Sequence, residues 1–169
     1  LWKNSGIWGI INLKKWQKHR REGFFMKISS KGRYALRLML DIAQHDNGNP
    51  VRIKDISMRQ EISDKYLEQI ISILNKAGFV RSVRGPQGGY LLTHSPEEYT
   101  VGMIPRLTEG SLAPVACLDG DVNTCERQEN CVTLRVWNRL KDAINDVVDN
   151  ITLADLLEWS SEGGDNYCI

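Results

Sequence analysis

The sequence predicts a mainly α fold with a small β-wing and a long C-terminal helix, and three observations predict it. Two short amphipathic segments, Val51 to Gln60 and Ser63 to Lys76, are separated only by the turn Glu61-Ile62-Ser63. An alternating stretch from Phe79 to Arg84 runs into the glycine-rich Gly85 to Gly89 and returns at Tyr90-Leu91-Leu92. From Val132 onward, Trp137, Leu140, Ile144, Val147 and Ile151 recur at intervals of 3, 4, 3 and 4. The chain of 169 residues, 41% hydrophobic and 25% charged, has the composition of a globular protein with room for a real core. No apolar run approaches the roughly 18 residues that a membrane-spanning helix needs, so no membrane partner is expected.

Residues 1–25 differ in kind from the rest. They hold three of the five Trp and the cluster Lys14, Lys15, Trp16, Lys18, His19, Arg20, Arg21, with no clean helical period. A basic aromatic arm could lie on DNA or on a membrane surface. A signal peptide fits poorly, because the cations follow the apolar Ile7 to Ile11 instead of preceding it. The expectation adopted is that this basic extension is not native protein: Arg21-Glu22-Gly23 reads as a purine-rich ribosome-binding sequence translated in frame, and the native chain starts at Met26.

From Met26 the pattern is regular. Ser29 or Ser30 caps a first helix running to Gln44, with Tyr34, Leu36, Leu38, Leu40, Ile42 and Ala43 as its apolar positions and Asp46-Asn47-Gly48-Asn49-Pro50 as its terminating turn. Val51 to Gln60 makes a short second helix with Ile53, Ile56 and Met58 apolar. Ser63 is placed to cap the third, on which Leu67, Ile70, Ile71 and Leu74 form one face, and Lys76-Ala77-Gly78 ends it with a cation followed by glycine. Two short helices joined by a tight turn make a helix-turn-helix, and the following hairpin completes a winged helix over residues 26–95. The glycine loop is not a phosphate cradle of the P-loop type, since Tyr90-Leu91-Leu92 enters a strand and no Gly-Lys-Ser/Thr enters a helix.

The charge is segregated along the chain. Residues 1–25 carry six bases and one acid, residues 26–92 eleven bases and six acids, and residues 93–169 five bases and fourteen acids, so that +5, +5 and −9 hide inside a formal +1. A basic middle suits a polyanion and an acidic end is kept off it. In a winged helix the third helix enters the major groove and the wing follows the backbone or the minor groove. Opposite the apolar face of that helix lie Asp64, Lys65, Glu68, Gln69 and Ser72. Ser63 and Lys65 suit phosphates, Gln69 pairs with adenine and Glu68 accepts from cytosine, the last as a selectivity device because an acid facing DNA costs affinity. Arg81 and Arg84 flank the wing, with Arg84 at its base positioned for a narrow minor groove.

Residues 96–169 make a sensor loop and a dimerisation helix. A short helix is expected from Tyr99-Thr100-Val101 to Leu107. Cys117, Cys125 and Cys131 then follow at C-x7-C-x5-C among Asp119, Asp121, Glu126 and Glu129, with Arg127 the single base. Carboxylates so placed blunt a free thiol but sit well beside thiolates that hold a cation or cluster. Structural zinc favours paired cysteines two to four residues apart, whereas wide gaps in one loop suit an iron–sulfur cluster. An EF-hand reading of Asp119, Asp121 and Asn123 fails, because Thr124 stands where Gly is needed and Asn130 where Glu is needed. The heptad seam Trp137, Leu140, Ile144, Val147, Ile151 is assigned to a twofold dimer that would present two reading heads to a palindromic operator, with Val136, Ala143 and Val148 turned to the chain's own winged helix. Thr152-Leu153-Ala154-Asp155 opens a last helix as a capping box, Glu162 to Ile169 is read as a frayed tail, and Cys168 as an idle tail thiol.

Taken together these residues resemble the IscR-type regulators, the iron–sulfur-sensing branch of a winged-helix family of cytoplasmic transcription regulators that also includes the nitric-oxide sensor NsrR and the cysteine-metabolism repressor CymR. The resemblance runs from Met26 to about Leu157. It is carried by Met26-Lys27-Ile28-Ser29-Ser30-Lys31-Gly32-Arg33-Tyr34-Ala35, by Tyr66-Leu67-Glu68-Gln69, by Ser82-Val83-Arg84-Gly85-Pro86-Gln87-Gly88-Gly89-Tyr90 and by Asn150-Ile151-Thr152-Leu153. It implies a homodimer on double-stranded DNA, with Ser63, Tyr66, Glu68, Gln69 and Arg84 at DNA-contacting positions and Glu68 as the selectivity switch. It also implies a cluster, 2Fe–2S with 4Fe–4S as the alternative, on Cys117, Cys125 and Cys131. The chain departs from the pattern at three places. Lys65 stands where IscR has Ser; the first cysteine gap is longer than the usual C-x5-C; and Leu134 occupies the position of the family's fourth ligand, a His. Candidates for that ligand here are Glu126, Glu129, a residue of a partner subunit, or a small thiol or water. A CymR-like repressor governed by a protein partner, with no cluster, is the rival reading. An enzyme has nothing in its favour, since the three His, at 19, 45 and 94, fall in separate segments and no catalytic constellation appears.

Overall fold

The structure is a computed structural model, and it describes residues 28–120, 122–123 and 125–162. The basic extension, the proposed start at Met26 and the tail with Cys168 lie outside the described residues. Helix α1 (Ser30–Gln44) begins where expected: the Ser29 hydroxyl accepts hydrogen bonds from the Lys31 and Gly32 amides at 3.1 and 3.4 Å. Its buried face is Ala35, Leu38, Met39 and Ile42. The spacing of these residues at three and four, with no helix breaker between them, is what makes this stretch helical and one-sided.

Helix α2 (Ile53–Gln60) starts two residues later than the sequence pattern predicts. Val51 is not helical. Its amide and carbonyl exchange hydrogen bonds with Tyr90, both at 2.9 Å, so this buried β-branched residue bridges the free edge of the hairpin as a third, one-residue strand, and Arg52 follows in extended conformation. The helix ends at Glu61, whose φ of 54° places it in the left-handed region. That conformation turns the chain sharply and buries Ile62, and it is the tight turn of the helix-turn-helix. Helix α3 (Asp64–Lys76) follows, burying Leu67, Ile70, Ile71 and Leu74 as predicted. Ser63 holds the N-cap position, but its hydroxyl caps nothing; only its carbonyl takes part, accepting from the Tyr66 and Leu67 amides at 3.0 Å. The side-chain cap expected at this exposed serine is therefore not made.

Strands β1 (Val80–Val83) and β2 (Gly89–Leu92) pair antiparallel, Val80 opposite Leu92 and Val83 opposite Gly89. A short 3-10 turn, Pro96–Glu98, leads to Tyr99, whose buried ring packs on Phe79. The Tyr99 hydroxyl donates to the Phe79 carbonyl at 2.8 Å and accepts from the Thr93 and His94 amides. Helix α4 (Met103–Glu109) begins later than predicted, because Thr100 pairs in extended form with Thr152, and the Val101 and Gly102 amides donate to the Ile151 and Val148 carbonyls. Two further 3-10 turns, Ala116–Leu118 and Gln128–Asn130, interrupt the cysteine loop. Helices α5 (Leu134–Asn150) and α6 (Leu153–Glu162) close the chain, the latter opened by the predicted capping box, in which Thr152 and Asp155 each bond the other's amide.

Two assignments on α5 need correction. Ile151 is not on the helix: it is the extended residue after it, and its carbonyl is occupied by Val101, so the helical seam comprises Trp137, Leu140, Ile144 and Val147. Val136 and Ala143 are exposed instead of turning to the winged helix, and only Val148 is half-buried. One core spans the chain. Tyr99, Ile104 and Leu153 are buried in the same cluster as Leu38, Ile56, Leu67, Ile70 and Val80. Helix α1 packs on α3 on one side and on α4 and α6 on the other, so the reading head and the following section share its faces.

Candidate nucleic-acid interface and thiol loop

The geometry of the recognition helix follows from its amphipathicity. With one stripe buried, α3 exposes Lys65, Glu68 and Gln69 along its opposite face, and the exposed Ser63 stands at its N-terminal end. Tyr66 is half-buried, its ring edge-on to Tyr34 of α1 at a centroid distance of 5.8 Å, which fixes the phenol at the margin between core and surface. Arg33 and Arg37 lie over that same Tyr34 ring at 6.0 and 5.7 Å and bring two more cations to this side. Arg81 on β1 and Arg84 in the wing loop are both exposed. Gly85, with φ of 114°, lets the loop turn immediately after Arg84.

Rigid support behind this face comes from residues that sequence reasoning passed over. Asp41 of α1, only 1% exposed, receives a fork from Arg59 of α2, Nη2 at 2.6 Å and Nε at 3.1 to 3.2 Å, and a further bond from Gln60 Nε2 at 2.8 Å. Hydrogen bonding to Asp41 raises the Arg59 guanidinium above its ordinary value. Arg37 holds the other side of Gln60 through its side chain and its carbonyl, both at 2.8 Å. These bonds lock the angle between α1 and α2. The available signal was Asp41 itself, an acid three residues after Leu38 on an otherwise apolar stripe. At the other end of α1, the Glu109 carboxylate bonds the Ser29 amide and hydroxyl and the Gly32 amide at 2.9 to 3.1 Å. A Cβ on Gly32 would collide with it. A carboxylate at a helix N-terminus is well placed, and this one ties the end of α4 to the start of the reading head.

The three predicted metal ligands lie on one loop but on separate pieces of it. Cys117 is in the turn Ala116–Leu118, Cys125 follows Asn123, whose Oδ1 accepts its amide at 2.9 Å, and Cys131 sits just ahead of α5. All three are free thiols of intermediate exposure. Cys131 Sγ lies 3.4 Å from the Thr133 hydroxyl, and that hydrogen bond, with the Leu134 and Thr133 amides at the start of the helix, holds its thiol below the ordinary value. Leu134 is the first residue of α5 and offers no donor atom. Lys141 of α5 donates to the Leu118 carbonyl at 3.0 Å, tying the Cys117 turn to the helix flank. Among the described residues, no group of three or more His, Cys, Asp or Glu side chains stands together in a metal-holding arrangement. The donor set suits an iron–sulfur group in kind, three unpaired thiols with one predisposed to ionise, but it is not gathered.

Helix α5 contributes no buried residue. Val136 and Val147 are 57% and 56% exposed, Leu140 38%, and Val132 just before the helix 82%, an apolar stripe open along its length. Trp137 and Ile144, predicted to share the seam, are half-buried.

A model of the Rrf2 family, described as iron-dependent transcriptional regulators, matches residues 28–159. The chain belongs to the Rrf2 family. The protein Rrf2 of Nitratidesulfovibrio vulgaris is 41% identical over 143 residues, 85% of this chain and 95% of that one. The regulator IscR of Pectobacterium carotovorum is 46% identical over 132 residues, 78% of this chain and 79% of its own. Among solved structures, the global cysteine regulator CymR of B. subtilis superimposes with a TM-score of 0.66 at 38% identity, covering 79% of this chain and 97% of that one. Rrf2 proteins are transcriptional regulators rather than enzymes, and DNA is the partner that membership implies. Both IscR and CymR are relatives of this Rrf2 chain, so kinship alone does not choose between them. Among the described residues, no helix is long and apolar enough to cross a membrane.

Proposed function

We propose that this chain is a cytoplasmic, homodimeric regulator whose affinity for a palindromic operator is set by an iron–sulfur cluster, 2Fe–2S by preference, held on Cys117, Cys125 and Cys131. The observation that carries this reading is the coincidence of three free thiols on one acidic loop with the start of α5, the helix whose open apolar stripe suits a second copy. When bound, such a cluster supplies a centre sensitive to oxidants and to nitric oxide. The rest is the work of the chain. Cys131, its thiolate favoured by Thr133 and the first amides of α5, is the anchor; Cys117 and Cys125 must be drawn toward it, so ligation orders the loop. Ordering is transmitted through Lys141 to the flank of α5, and through α4 and Glu109 to the N-terminus of α1. A coupling of about 1 to 3 kcal/mol changes operator affinity by roughly five- to 150-fold. On DNA, Ser63 and Lys65 take phosphates, Glu68 and Gln69 read base edges, Tyr66 packs at the groove margin, and Arg81 and Arg84 serve the wing.

A second reading, a CymR-like repressor governed by a protein partner, is favoured by one specific observation: the thiols are not gathered, and Leu134 supplies no fourth ligand. Anaerobic iron–sulfur reconstitution separates the two. Wild type is expected to show the absorbance and Mössbauer spectrum of a cluster and Cys125→Ala to lose it; a colourless wild type supports the second reading and overturns the first.

A further inference from the structure

The wing is joined to α2 by a side chain that no reading of the recognition helix requires. Arg52, the exposed residue between Val51 and α2, sends one guanidinium nitrogen, Nη2, to the Pro86 carbonyl at 2.9 Å and to Gln87 Oε1 at 2.8 Å. Its backbone is fixed against the start of β2, where the strand leaves the wing loop. Val51 is hydrogen-bonded on both sides to Tyr90, and a Cβ on Gly89 would collide with the Val51 carbonyl, so residues 51 and 52 lie tightly along β2. Arg52 thus ties the wing loop to the strand it enters. The loop it braces has little else to hold it. Between Arg84 and Gly88 all five residues are exposed or half-exposed, and the main chain makes one internal bond, Gly88 amide to Gly85 carbonyl at 2.9 Å.

We propose that Arg52 is a positioning residue for DNA binding, a brace that pre-sets the wing so that Arg84 is delivered to the duplex in a fixed pose. The inference rests on the reading of Arg84 as a DNA contact. An exposed loop that must be ordered on binding loses affinity to that ordering, and a brace made in the free protein removes the loss. The bond is a fork on a carbonyl and an amide oxygen, so it leaves the positive charge of Arg52 unneutralised beside a wing that carries Arg81 and Arg84 and, from residue 80 to 92, no acid.

The test is a double-mutant cycle on a duplex selected by the wild-type protein from a randomised pool, read by fluorescence anisotropy across a salt series. Arg84→Ala is expected to weaken binding and to lower the salt slope by about one. Arg52→Ala is expected to weaken binding roughly five-fold in the wild-type background and to have almost no effect when Arg84 is already Ala, because it acts through that residue. Gln87→Ala breaks the same brace from the other side and is expected to behave in the same way with a smaller loss, which keeps the cycle decisive if Arg52→Ala fails to fold. Additive losses, with a salt slope reduced by about two in the double variant, would mean that Arg52 touches phosphate itself and overturn the brace, as would an unchanged Arg52→Ala. An Arg84→Ala variant that binds like wild type overturns the reading of the wing, and the brace with it; a loss at Arg84 with no loss at Arg52 or Gln87 overturns the brace alone.

Discussion

The reading head and the thiol-bearing section are built to different standards of closure. In the head, α1, α2, α3 and the hairpin close on one core, with Leu38, Ile42, Ile56, Leu67, Ile70 and Val80 buried and Met58, expected among the apolar positions of α2, exposed; the one charge they bury, Asp41, is met by Arg59 and Gln60. In the section beyond residue 110, Cys117 sits in one short turn and Cys125 and Cys131 flank another, and α5 buries nothing while carrying Val136, Leu140 and Val147 open to solvent. The first is complete as a single copy. The second leaves open what the proposed function would fill: three free thiols for an inorganic group and an apolar stripe for a second chain. Rigidity where DNA is read and incompleteness where a signal is received is the division that a switch needs, because only the incomplete part can have two states.

The contrast is sharpened most by breaking the head. Arg59→Met leaves Asp41 buried without its charged partner and is expected to cost about 3 kcal/mol of folding stability by chemical denaturation. A change of equal volume on the exposed face of α5 is expected to fall within about 0.5 kcal/mol. Next in size, Gln69→Ala is expected to lose about 1 to 3 kcal/mol on the selected duplex and to relax the preference at a single base pair, whereas Lys65→Ala weakens all duplexes alike and lowers the salt slope by about one. Smaller again, Leu140→Ser with Val147→Ser is expected to shift the protein from dimer toward monomer in analytical ultracentrifugation without lowering the denaturation midpoint of the monomer. An unchanged dimer would remove α5 from the interface. The smallest effect concerns Cys131. Its lowered thiol pKa means that the thiolate is favoured in the folded state; the associated stability is present above the ordinary thiol range and is lost as pH falls through the lowered value. Thr133→Val removes the largest cause, so alkylation of Cys131 by iodoacetamide near neutral pH is expected to slow in that variant and the pH profile to move upward.

The reading head was legible in the sequence because its elements bury one face each, and one-sided burial leaves a period that can be counted: Leu67, Ile70, Ile71 and Leu74 give α3, and the alternation after Phe79 gives β1. What was not legible depends on partners distant in sequence. Val51 looked like the first apolar residue of α2 and is a strand residue, because Tyr90 claims its backbone. Tyr99 and Thr100 looked helical and are extended, and Val101-Gly102 make a turn ahead of α4, because Val148, Ile151 and Thr152 claim their backbone. The pairs Arg59 with Asp41 and Arg52 with Gln87 leave no spacing signal, since each joins two elements whose relative placement is set only by the fold. On α5 the heptad was real as a pattern, but its C-terminal member, Ile151, lies past the helix end in extended conformation, where Val101 takes its carbonyl. The thiol loop announced its residue types plainly and its geometry not at all, because loop positions are fixed by what they bind and not by periodicity.

The account therefore stands on whether the incomplete section controls the complete one. The direct measurement is operator binding, by anisotropy under anaerobic conditions, of reconstituted wild type, of the same protein stripped of iron, and of the variant with Cys117, Cys125 and Cys131 all changed to Ala. The account predicts that the first two differ by roughly five- to 150-fold and that the triple variant binds like the stripped protein whether or not it has been through reconstitution. Equal affinity for all three forms would contradict it and leave a winged-helix regulator whose cysteines do not report to its DNA.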